Sequence, residues 1–510
     1  MSVDANLKRS HALTARPPQA KLIAVVAGSE IDAQFWVNSL RETGADVISS
    51  LALPQLIPIT EYAPAGNFFG TVRAWNGIRG ALQTEAASIE GVSVVCMVFG
   101  QGTRLSPFTQ ALRGRKSALR TPFESRRSGC FLRTIDLALL YSNIWLETLT
   151  AKGFNGVLVK WGDEATVPSI DWLSEPNRLE DMDMVRFVWR TEPTETYARE
   201  KEWFVLDQET KTVVGLLPRQ PLADLKLLLE PFSGNRYCTA VNVGSVAVSY
   251  PLLEAARSSL GSLLDGKTAD WDPFVSYLLL GGDAESSNPY IMAGLSAMES
   301  RAPGITRALL QLRGNWPEKH GRNLKSGYLE FGDALWIDLG LHETLRRSLE
   351  GMTEESARGR SLRLFFGLPE ELDPKGNILL NSSISPGLDV RNSILLNTKI
   401  EQFGTKLFRA VVVDSEFGFL HLPDGGCALF SSGARLEAEG PRTIAYGWRG
   451  GSALLKEGER LTSIRYEGRS LDLRSFEDWK DYGSKAMATP TFGNEISFAE
   501  AGRVMTMCEE

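Results

Sequence analysis

Residues 92–107 read VSVVCMVFGQGTRLSP, an apolar run followed by a glycine-rich loop. The run 92–99 predicts a buried strand of a parallel sheet, because it is almost continuously apolar. Glycines at positions 100 and 102 let the backbone approach phosphate oxygens and aim its N–H groups at them. Arg104 and Lys116 add two cations that can neutralise a triphosphate and its leaving pyrophosphate. The stretch therefore predicts a loop that handles phosphate. It is not a Walker A loop, because the spacing GxxxxGK[ST] is absent.

Strand and helix patterns alternate around this loop. Residues 21–26 and 156–161 predict strands, residues 45–49 predict a further strand, and residues 132–152 predict a long helix. Strands that alternate with helices indicate a doubly wound, mostly parallel sheet. The predicted fold class of this part of the chain is therefore α/β.

The string GQGTRLSPFT, with a lysine downstream, resembles the signature GxGTRxxPxT of the sugar-1-phosphate nucleotidyltransferases, the NDP-sugar pyrophosphorylases. The resemblance implies a Rossmann-like nucleotidyltransferase domain that joins an NTP to a sugar-1-phosphate and releases pyrophosphate. It implies that Arg104 is catalytic at the β- and γ-phosphates, and Lys116 at the α-phosphate or the sugar phosphate. The nucleotide-binding residues that we expect are Gly100, Gln101, Gly102, Thr103, Gly66, Gly70 and Thr71.

Two carboxylates follow predicted strands. Asp163 stands in VLVKWGDE, and Asp338 stands in ALWIDLG, which resembles the W-x-D-x-G segment of the same family. The resemblance implies that both aspartates bind Mg²⁺, with Glu164 as a further candidate ligand and Asp333 as a competitor of Asp338. A turn at Asp163 and a helix cap at Asp338 are the structural alternatives.

The segment TAVNVGSVAVSY resembles the family's NxG motif, which orients the sugar. The resemblance implies that Asn242 and Gly244 bind the sugar, and an amide suits hydroxyl recognition because it both donates and accepts hydrogen bonds. A turn that contains asparagine is the alternative interpretation.

The order of the pieces resembles one branch of the family, the GDP-fucose pyrophosphorylases (fucose-1-phosphate guanylyltransferases). There too a β-α-β unit and a glycine-rich turn precede the phosphate loop, as residues 21–91 do here. This order favours a GDP-sugar as product. However, the phosphate loop of that branch reads roughly HxGGxSxR, so the base and the sugar stay open.

The C-terminal third has a different pattern. Residues 376–401 read GNILLNSSISPGLDVRNSILLNTKIE, with aliphatic residues six apart in two series. Those series are Ile378, Ile384, Val390, Leu396 and Leu388, Ile394, Ile400. Six-residue spacing is typical of a β-helix, so we predict a β-rich domain with a short left-handed β-helix, and an ordinary β-meander is the alternative.

Four segments are predicted along the chain. They are a flexible tail (1–20), a nucleotidyltransferase domain (21–350), a linker (351–375) and a β-helix-like domain (376–510). A β-helix often mediates assembly, so a homo-oligomer is one expectation. Alternatives for function are a nucleotidyltransferase with a non-sugar phosphate acceptor and an inactive nucleotide-binding regulatory protein.

Composition and charge limit the partners. The net charge is −7 and no apolar run reaches transmembrane length, so we expect neither nucleic acid nor membrane as a partner. The five cysteines are scattered with no CxxC pair, which favours a reducing cytoplasm. The expected partners are therefore an NTP and a sugar-1-phosphate, with Mg²⁺ as the cofactor.

Overall fold

The structure is a computed structural model, and it describes residues 2–61, 66–82, 90–100, 102–271, 273–402, 406–479 and 483–507. Its helices are α1 (Val3–Leu13), α2 (Glu30–Val47), α3 (Gly66–Leu82), α4 (Phe108–Ala111), α5 (Thr134–Ala151), α6 (Glu195–Glu200), α7 (Leu222–Leu229), α8 (Tyr250–Leu260), α9 (Pro273–Leu279), α10 (Pro289–Arg301), α11 (Ile305–His320), α12 (His342–Gly351), α13 (Ala357–Phe365), α14 (Ser484–Met487) and α15 (Phe498–Met507).

The first thirteen strands are β1 (Leu22–Ala27), β2 (Gln55–Thr60), β3 (Val92–Met97), β4 (Arg120–Glu124), β5 (Phe131–Arg133), β6 (Gly156–Trp161), β7 (Glu164–Val167), β8 (Met184–Arg190), β9 (Trp203–Asp207), β10 (Thr212–Leu217), β11 (Tyr237–Ser249), β12 (Ser326–Glu330) and β13 (Leu335–Asp338).

The remaining strands are β14 (Ile378–Leu380), β15 (Ser383–Ile384), β16 (Asp389–Arg391), β17 (Ile394–Leu396), β18 (Lys399–Ile400), β19 (Lys406–Phe408), β20 (Val411–Val413), β21 (Glu416–His421), β22 (Cys427–Leu429), β23 (Ser432–Ala438), β24 (Ile444–Tyr446), β25 (Arg449–Leu455), β26 (Glu459–Tyr466) and β27 (Arg469–Phe476).

The chain divides into two compact units, and each is built from several stretches of sequence. Unit 1 consists of Met1–Met97, Ala138–Gly162 and Thr166–Leu335. Unit 2 consists of Val98–Leu137, Asp163–Ala165 and Trp336–Glu510. The glycine-rich loop and both predicted metal-binding aspartates therefore belong to the same unit as the C-terminal β-rich region.

The core of unit 1 is a nine-stranded mixed sheet with the order β2-β1-β3-β6-β11-β8-β12-β10-β9. The strand predicted at 92–99 is confirmed as β3, which is buried at every position and lies parallel to β1 and β6. The sheet is less parallel than predicted, because β11 runs antiparallel to β6 and β8, and β10 runs antiparallel to β9 and β12. Burial on both faces makes a strand apolar whichever way its neighbour runs, so the pattern did not reveal direction.

Two predictions of local structure in unit 1 are wrong. Residues 45–47 continue α2, which Ser29 caps, and the strand that follows is β2. Residues 3–13 of the expected tail form α1, capped by Ser2, with Leu7 and Leu13 buried. The amide of Asn6 donates to the Pro168 and Ile170 carbonyls, at 2.8 and 3.0 Å, so this helix has tertiary partners that its polar sequence did not indicate.

In unit 2 the region after the glycine-rich loop forms α4 and the β4–β5 hairpin. Residues 357–365 of the expected linker form α13, so that segment is structured. The C-terminal region consists of parallel strands that stack coil upon coil: β14, β17, β20, β22, β24 and β26 form one sheet, and β15, β18, β21, β23 and β25 form a second. The antiparallel strand β27 closes the first sheet.

The coils repeat every 16 or 17 residues. Pairing along the first sheet steps through Ile378, Ile394, Val411, Cys427, Ile444 and Arg460. Ile378, Ile384 and Val390 lie on successive strands, but Leu396 pairs with Leu380 and starts no fourth face. Strict hexads would need about 18 residues for three faces. The repeat is shorter because left-handed corners recur at Asn381, Asn397, Asp414, Phe430, Gly447 and at Asn392, Arg409, Gly425, Arg442, Gly458.

The interior of the coils is a continuous apolar core. Leu395, Val412, Ala428, Ala445 and Leu461 form one buried column on the first sheet. Burial of such columns from coil to coil supplies the main stabilisation of a stacked array. Separately, no helix among the described residues is both long and apolar enough to cross a bilayer.

Candidate functional site

The glycine-rich loop of unit 2 has a backbone that only glycine accommodates at position 102. Gly102 has φ +58°, and a Cβ there would lie 2.6 Å from Thr109 Cγ2 and 2.8 Å from Lys116 Cβ. Its carbonyl accepts from Leu105 N–H (2.9 Å) and from the Thr109 hydroxyl (3.2 Å). The loop is therefore folded tightly back against the residue that carries the predicted catalytic amine.

Lys116 and Asp163 form an ion pair, with Nζ 2.7 Å from Oδ2. The lysine side chain is 19% exposed and the aspartate side chain 7% exposed, so the pair is shielded from bulk water. Arg104 is exposed on the short helical turn Thr103–Leu105. Gly100 also has a positive φ of +109°, and Gln101 lies outside the described residues.

Asp338 lies close to this ion pair. The Leu339 N–H donates to the Asp163 carbonyl at 2.9 Å, and the Gly340 N–H donates to Asp338 Oδ1 at 2.8 Å. A Cβ on Gly340 would stand 2.3 Å from Asp163 Oδ2 and 3.0 Å from Asp338 Oδ1, so both carboxylates converge on this glycine. Burial, and then the charge of Asp163, raise the pKa of Asp338, and Arg104 and Lys116 oppose that rise.

The pair of aspartates fits the divalent cation that the resemblance implies. Mg²⁺ is usually bound through one or two protein carboxylates, with substrate phosphates and water completing the shell. Two converging carboxylates, one with a raised pKa, form an electrostatically unfavourable pair that a cation stabilises. Asp333 is exposed at a bend of unit 1, and its role as a competitor of Asp338 stays a prediction. Within the described residues, no group of three or more His, Cys, Asp or Glu side chains is arranged to hold a metal.

The glycine-rich turn that we assigned to the nucleotide base starts α3 in unit 1. The N–H groups of Phe68 and Phe69 donate to the Ala269 carbonyl, and a Cβ on Gly66 would lie 2.5 Å from that oxygen. Thr71 is fully buried, with its hydroxyl bonded to Asn67 O at 2.6 Å and to Trp271 Nε1 at 3.2 Å. Gly70 is buried in the same helix, beside Glu61 and Met97. These contacts give the three residues a packing role, and their contact with a base stays a prediction.

The segment that resembles the family's NxG motif lies in β11 of unit 1, where the register shifts between Asn242 and Val246. The Asn242 side chain accepts from the Gly244 N–H at 3.1 Å and donates to Glu202 at 3.4 Å. Arg219 in turn lies 3.3 Å from Glu202. Asn242, Glu202 and Arg219 thus form one polar group around the bulge. The segment KEWFVLD (201–207), which contains Glu202, and the pair Arg219-Gln220 are candidates for phosphate or sugar contacts from the sequence, although neither matches a motif of the family.

Lys160 is a second residue that the motif search did not select. It is almost fully buried on β6, with Nζ 4.2 Å above the Trp145 ring and 3.3 Å from Ser245 Oγ. A buried lysine in an apolar strand is uncommon, and the sequence GVLVKW contains that signal. Its amine contacts the residue that follows Gly244 in the sugar motif.

No protein-family model matches this sequence, and no curated protein sequence matches it either.

Proposed function

We propose that this chain is a magnesium-dependent nucleotidyltransferase that joins a nucleoside triphosphate to a sugar-1-phosphate and releases pyrophosphate. The observation that supports the proposal most is the convergence of Lys116, Asp163 and Asp338 beside the left-handed turn at Gly102. A phosphate-binding turn, an amine and two carboxylates are the parts that this chemistry needs. A loop that only solvates the surface has no need to place a buried and a half-buried carboxylate against one glycine.

The reaction is an in-line displacement. A phosphate oxygen of the sugar-1-phosphate attacks the α-phosphorus, the bond from that phosphorus to the α–β bridging oxygen breaks, and pyrophosphate leaves with the electron pair. No protein nucleophile is required, so positioning and charge neutralisation supply the catalysis. When bound, Mg²⁺ held by Asp163 and Asp338 neutralises charge on the phosphates.

The protein's own cations have distinct roles in this proposal. Lys116 is held by its ion pair with Asp163 and contacts the α-phosphate or the sugar phosphate. Arg104 is exposed at the turn, and its role is to contact the β- and γ-phosphates, where it stabilises the leaving pyrophosphate. The N–H groups of the Gly100–Thr103 loop add donors for the phosphate oxygens.

The finer fold assignment is part of the same proposal. We propose a Rossmann-like nucleotidyltransferase sheet in unit 1 and a left-handed β-helix in the C-terminal region. The parallel neighbours β2, β1, β3 and β6 support the first assignment. The coil repeat of 16 or 17 residues and its recurring corners support the second.

The substrate classes follow from the resemblance and the order of elements. We propose that Asn242 and Gly244 bind the sugar, with Glu202 accepting from its hydroxyls, and that the turn at Gly66, Gly70 and Thr71 lies near the base. A GDP-sugar is the favoured product because of the element order. A cytoplasmic location and a homo-oligomer are further parts of the proposal.

The test compares three Asp→Asn variants in a pyrophosphate-release assay with Mg²⁺. We expect Asp163→Asn and Asp338→Asn each to lower kcat by at least about 100-fold, since each removes a charge that organises the transition state. Asp389→Asn is the matched control, because Asp389 is exposed on β16 and pairs with its near neighbour Arg391. Full activity of Asp163→Asn would refute the proposed metal site. Nucleotide binding without turnover in the wild type would favour the regulatory alternative.

A further inference from the structure

The carbonyl of Ser106, two residues after Arg104, is held by two donors from distant parts of unit 2. His342 Nε2 lies 2.7 Å from this oxygen, and the Ser475 hydroxyl donates to it at 2.9 Å. His342 is the first residue of α12 and Ser475 stands on β27, the last strand of the stacked coils. Both lone pairs of the carbonyl are therefore satisfied, and the end of the phosphate loop is fixed from two sides.

The stretch on the other side of the loop is anchored in the same way. The Arg120 N–H, four residues after Lys116, donates to the Tyr446 hydroxyl on β24 at 2.9 Å. The Arg120 guanidinium lies 4.3 Å above the Phe430 ring. Between the two anchors, the Phe108 ring packs 5.3 Å from Tyr446 and α4 packs against α15. The segment that carries both catalytic cations thus rests on side chains of the stacked coils.

Ion pairs connect α12 to the same coils. Arg346 on α12 lies 3.0 Å from Glu477, which also pairs with the fully buried Arg460 at 3.1 Å. Glu350, one turn further along α12, pairs with Arg409 at 2.9 Å. Helix α12 begins four residues after Asp338. The coils therefore constrain the segment that carries this second carboxylate, in addition to the loop.

We propose that His342, Ser475 and Tyr446 are positioning residues through which the C-terminal coils set the placement of Arg104 and Lys116. This inference rests on the proposed function, because it assigns the coils a role in the same site. The coils then act as one wall of the phosphate loop and not as a separate appended domain. None of the three residues needs to contact substrate.

The chemistry of His342 suits a fixed donor. A carbonyl only accepts, so Nε2 carries the hydrogen, and Nδ1 has no hydrogen-bond partner among the described residues. Burial and the charge of Arg460 lower the pKa of His342 to about 3, so the ring stays neutral at ordinary pH. A neutral donor holds the loop without adding a charge that would compete for phosphate.

The test uses the full chain and two matched pairs of variants. His342→Phe removes the donor and keeps an aromatic ring, whereas His342→Gln keeps an amide N–H near the position of Nε2. Ser475→Ala and Ser475→Thr form the second pair. Ser431→Ala is the control, because Ser431 makes buried hydrogen bonds to the Leu429 carbonyl and Trp448 N–H within the coils and lies outside the loop.

We expect the double variant His342→Phe/Ser475→Ala to lose up to about 100-fold in kcat, since small displacements of catalytic groups have effects of this size. His342→Gln and Ser475→Thr are expected to retain kcat within a few-fold. Ser431→Ala is expected to lower Tm about as much as the double variant does, without lowering kcat. If the losses of kcat instead track Tm across all variants, or the donor-keeping variants fail equally, the positioning role is refuted.

Hydrogen exchange separates failure of this inference from failure of the proposed function. A wild-type protein that releases no pyrophosphate from any nucleotide refutes the function alone. Amide hydrogen exchange of residues 102–119 then tests whether the coils hold the loop. About tenfold faster exchange in His342→Phe/Ser475→Ala than in Ser431→Ala supports the positioning role. Equal exchange in the two proteins would overturn it.

Discussion

Gly340 lets the carboxylates of buried Asp163 and half-buried Asp338 approach one another because it has no side chain. Asp163 and Asp338 both face the position that a Cβ on this residue would take. Like charges this close favour a bound cation. Burial first, and then the charge of Asp163, raise the pKa of Asp338. The geometry of this site therefore depends on the missing side chain of Gly340 as much as on the charged groups.

Substitution of this glycine tests that geometry. Gly340→Ala places a methyl carbon 2.3 Å from Asp163 Oδ2, so a carboxylate must move and we expect kcat to fall by about 100-fold. Gly451→Ala is the control, because a Cβ there meets no atom within 4 Å and its φ is not positive. Steady-state pyrophosphate release and Tm measure both effects. Activity of Gly340→Ala equal to that of Gly451→Ala would contradict the site geometry.

His342 predicts a pH dependence of stability. Its pKa lies near 3 in the folded protein and near 6.5 when unfolded, so between these values the unfolded chain binds more protons. The native state therefore loses stability as the pH falls through this window, by at most about 1.4 kcal/mol per pH unit from this residue. His342→Gln removes the effect, so the gap in free energy of unfolding between wild type and variant should shift in favour of the variant from pH 7 to pH 5. Urea unfolding at those pH values measures it, and a constant gap would count against the buried neutral ring.

Sequence patterns selected candidate residues that lie close together along the chain. Gly102, Arg104 and Lys116 were identified because they lie within one continuous string, and Asp338 because Trp336 and Gly340 flank it. His342, Ser475 and Tyr446 were missed, since each contacts the loop across more than 200 residues of chain. A lone histidine or serine belongs to no spacing pattern in the sequence. Only the folded chain shows that His342 and Ser475 contact the Ser106 carbonyl and that Tyr446 contacts the Phe108 ring.

At the element scale, the stacked coils depend on their interior columns. Leu436 on β23 is fully buried and pairs with Leu420 and Ala453 in the neighbouring coils. The hexads indicated a β-helix-like region but gave the wrong period, because the left-handed corners shorten each coil. The left-handed corners are occupied by Asn and Asp residues but also by Phe430. The positions of the corners could therefore not be predicted from composition alone.

The columns make a direct stability prediction. Leu436→Ala should lower the free energy of unfolding by about 3 kcal/mol, since it leaves a cavity in a continuous core. Leu454→Ala, on the adjacent strand β25 with Leu454 49% exposed, should change it by less than about 0.5 kcal/mol. Urea unfolding followed by circular dichroism compares the two. Equal effects would mean that the register of β23 and β25 is not the one described.

At the scale of the whole molecule, the order of segments along the chain does not follow the spatial units. The glycine-rich loop and Asp163 come early in the sequence, yet they belong to the unit that contains the C-terminal coils. The predicted boundaries at 350 and 375 follow composition, whereas unit 2 joins Val98–Leu137 and Asp163–Ala165 to Trp336–Glu510. Composition reports where the hydrophobic period changes, whereas unit membership depends on contacts between distant segments.

The central claim is nucleotidyl transfer, and pyrophosphate release tests it most directly. The wild-type chain is assayed with Mg²⁺ against the common nucleoside triphosphates and several sugar-1-phosphates. We predict release that requires both substrates, is confined to one base, preferably guanine, and stops when the metal is chelated. Absence of release in every combination, with no nucleotide raising Tm, would contradict the account.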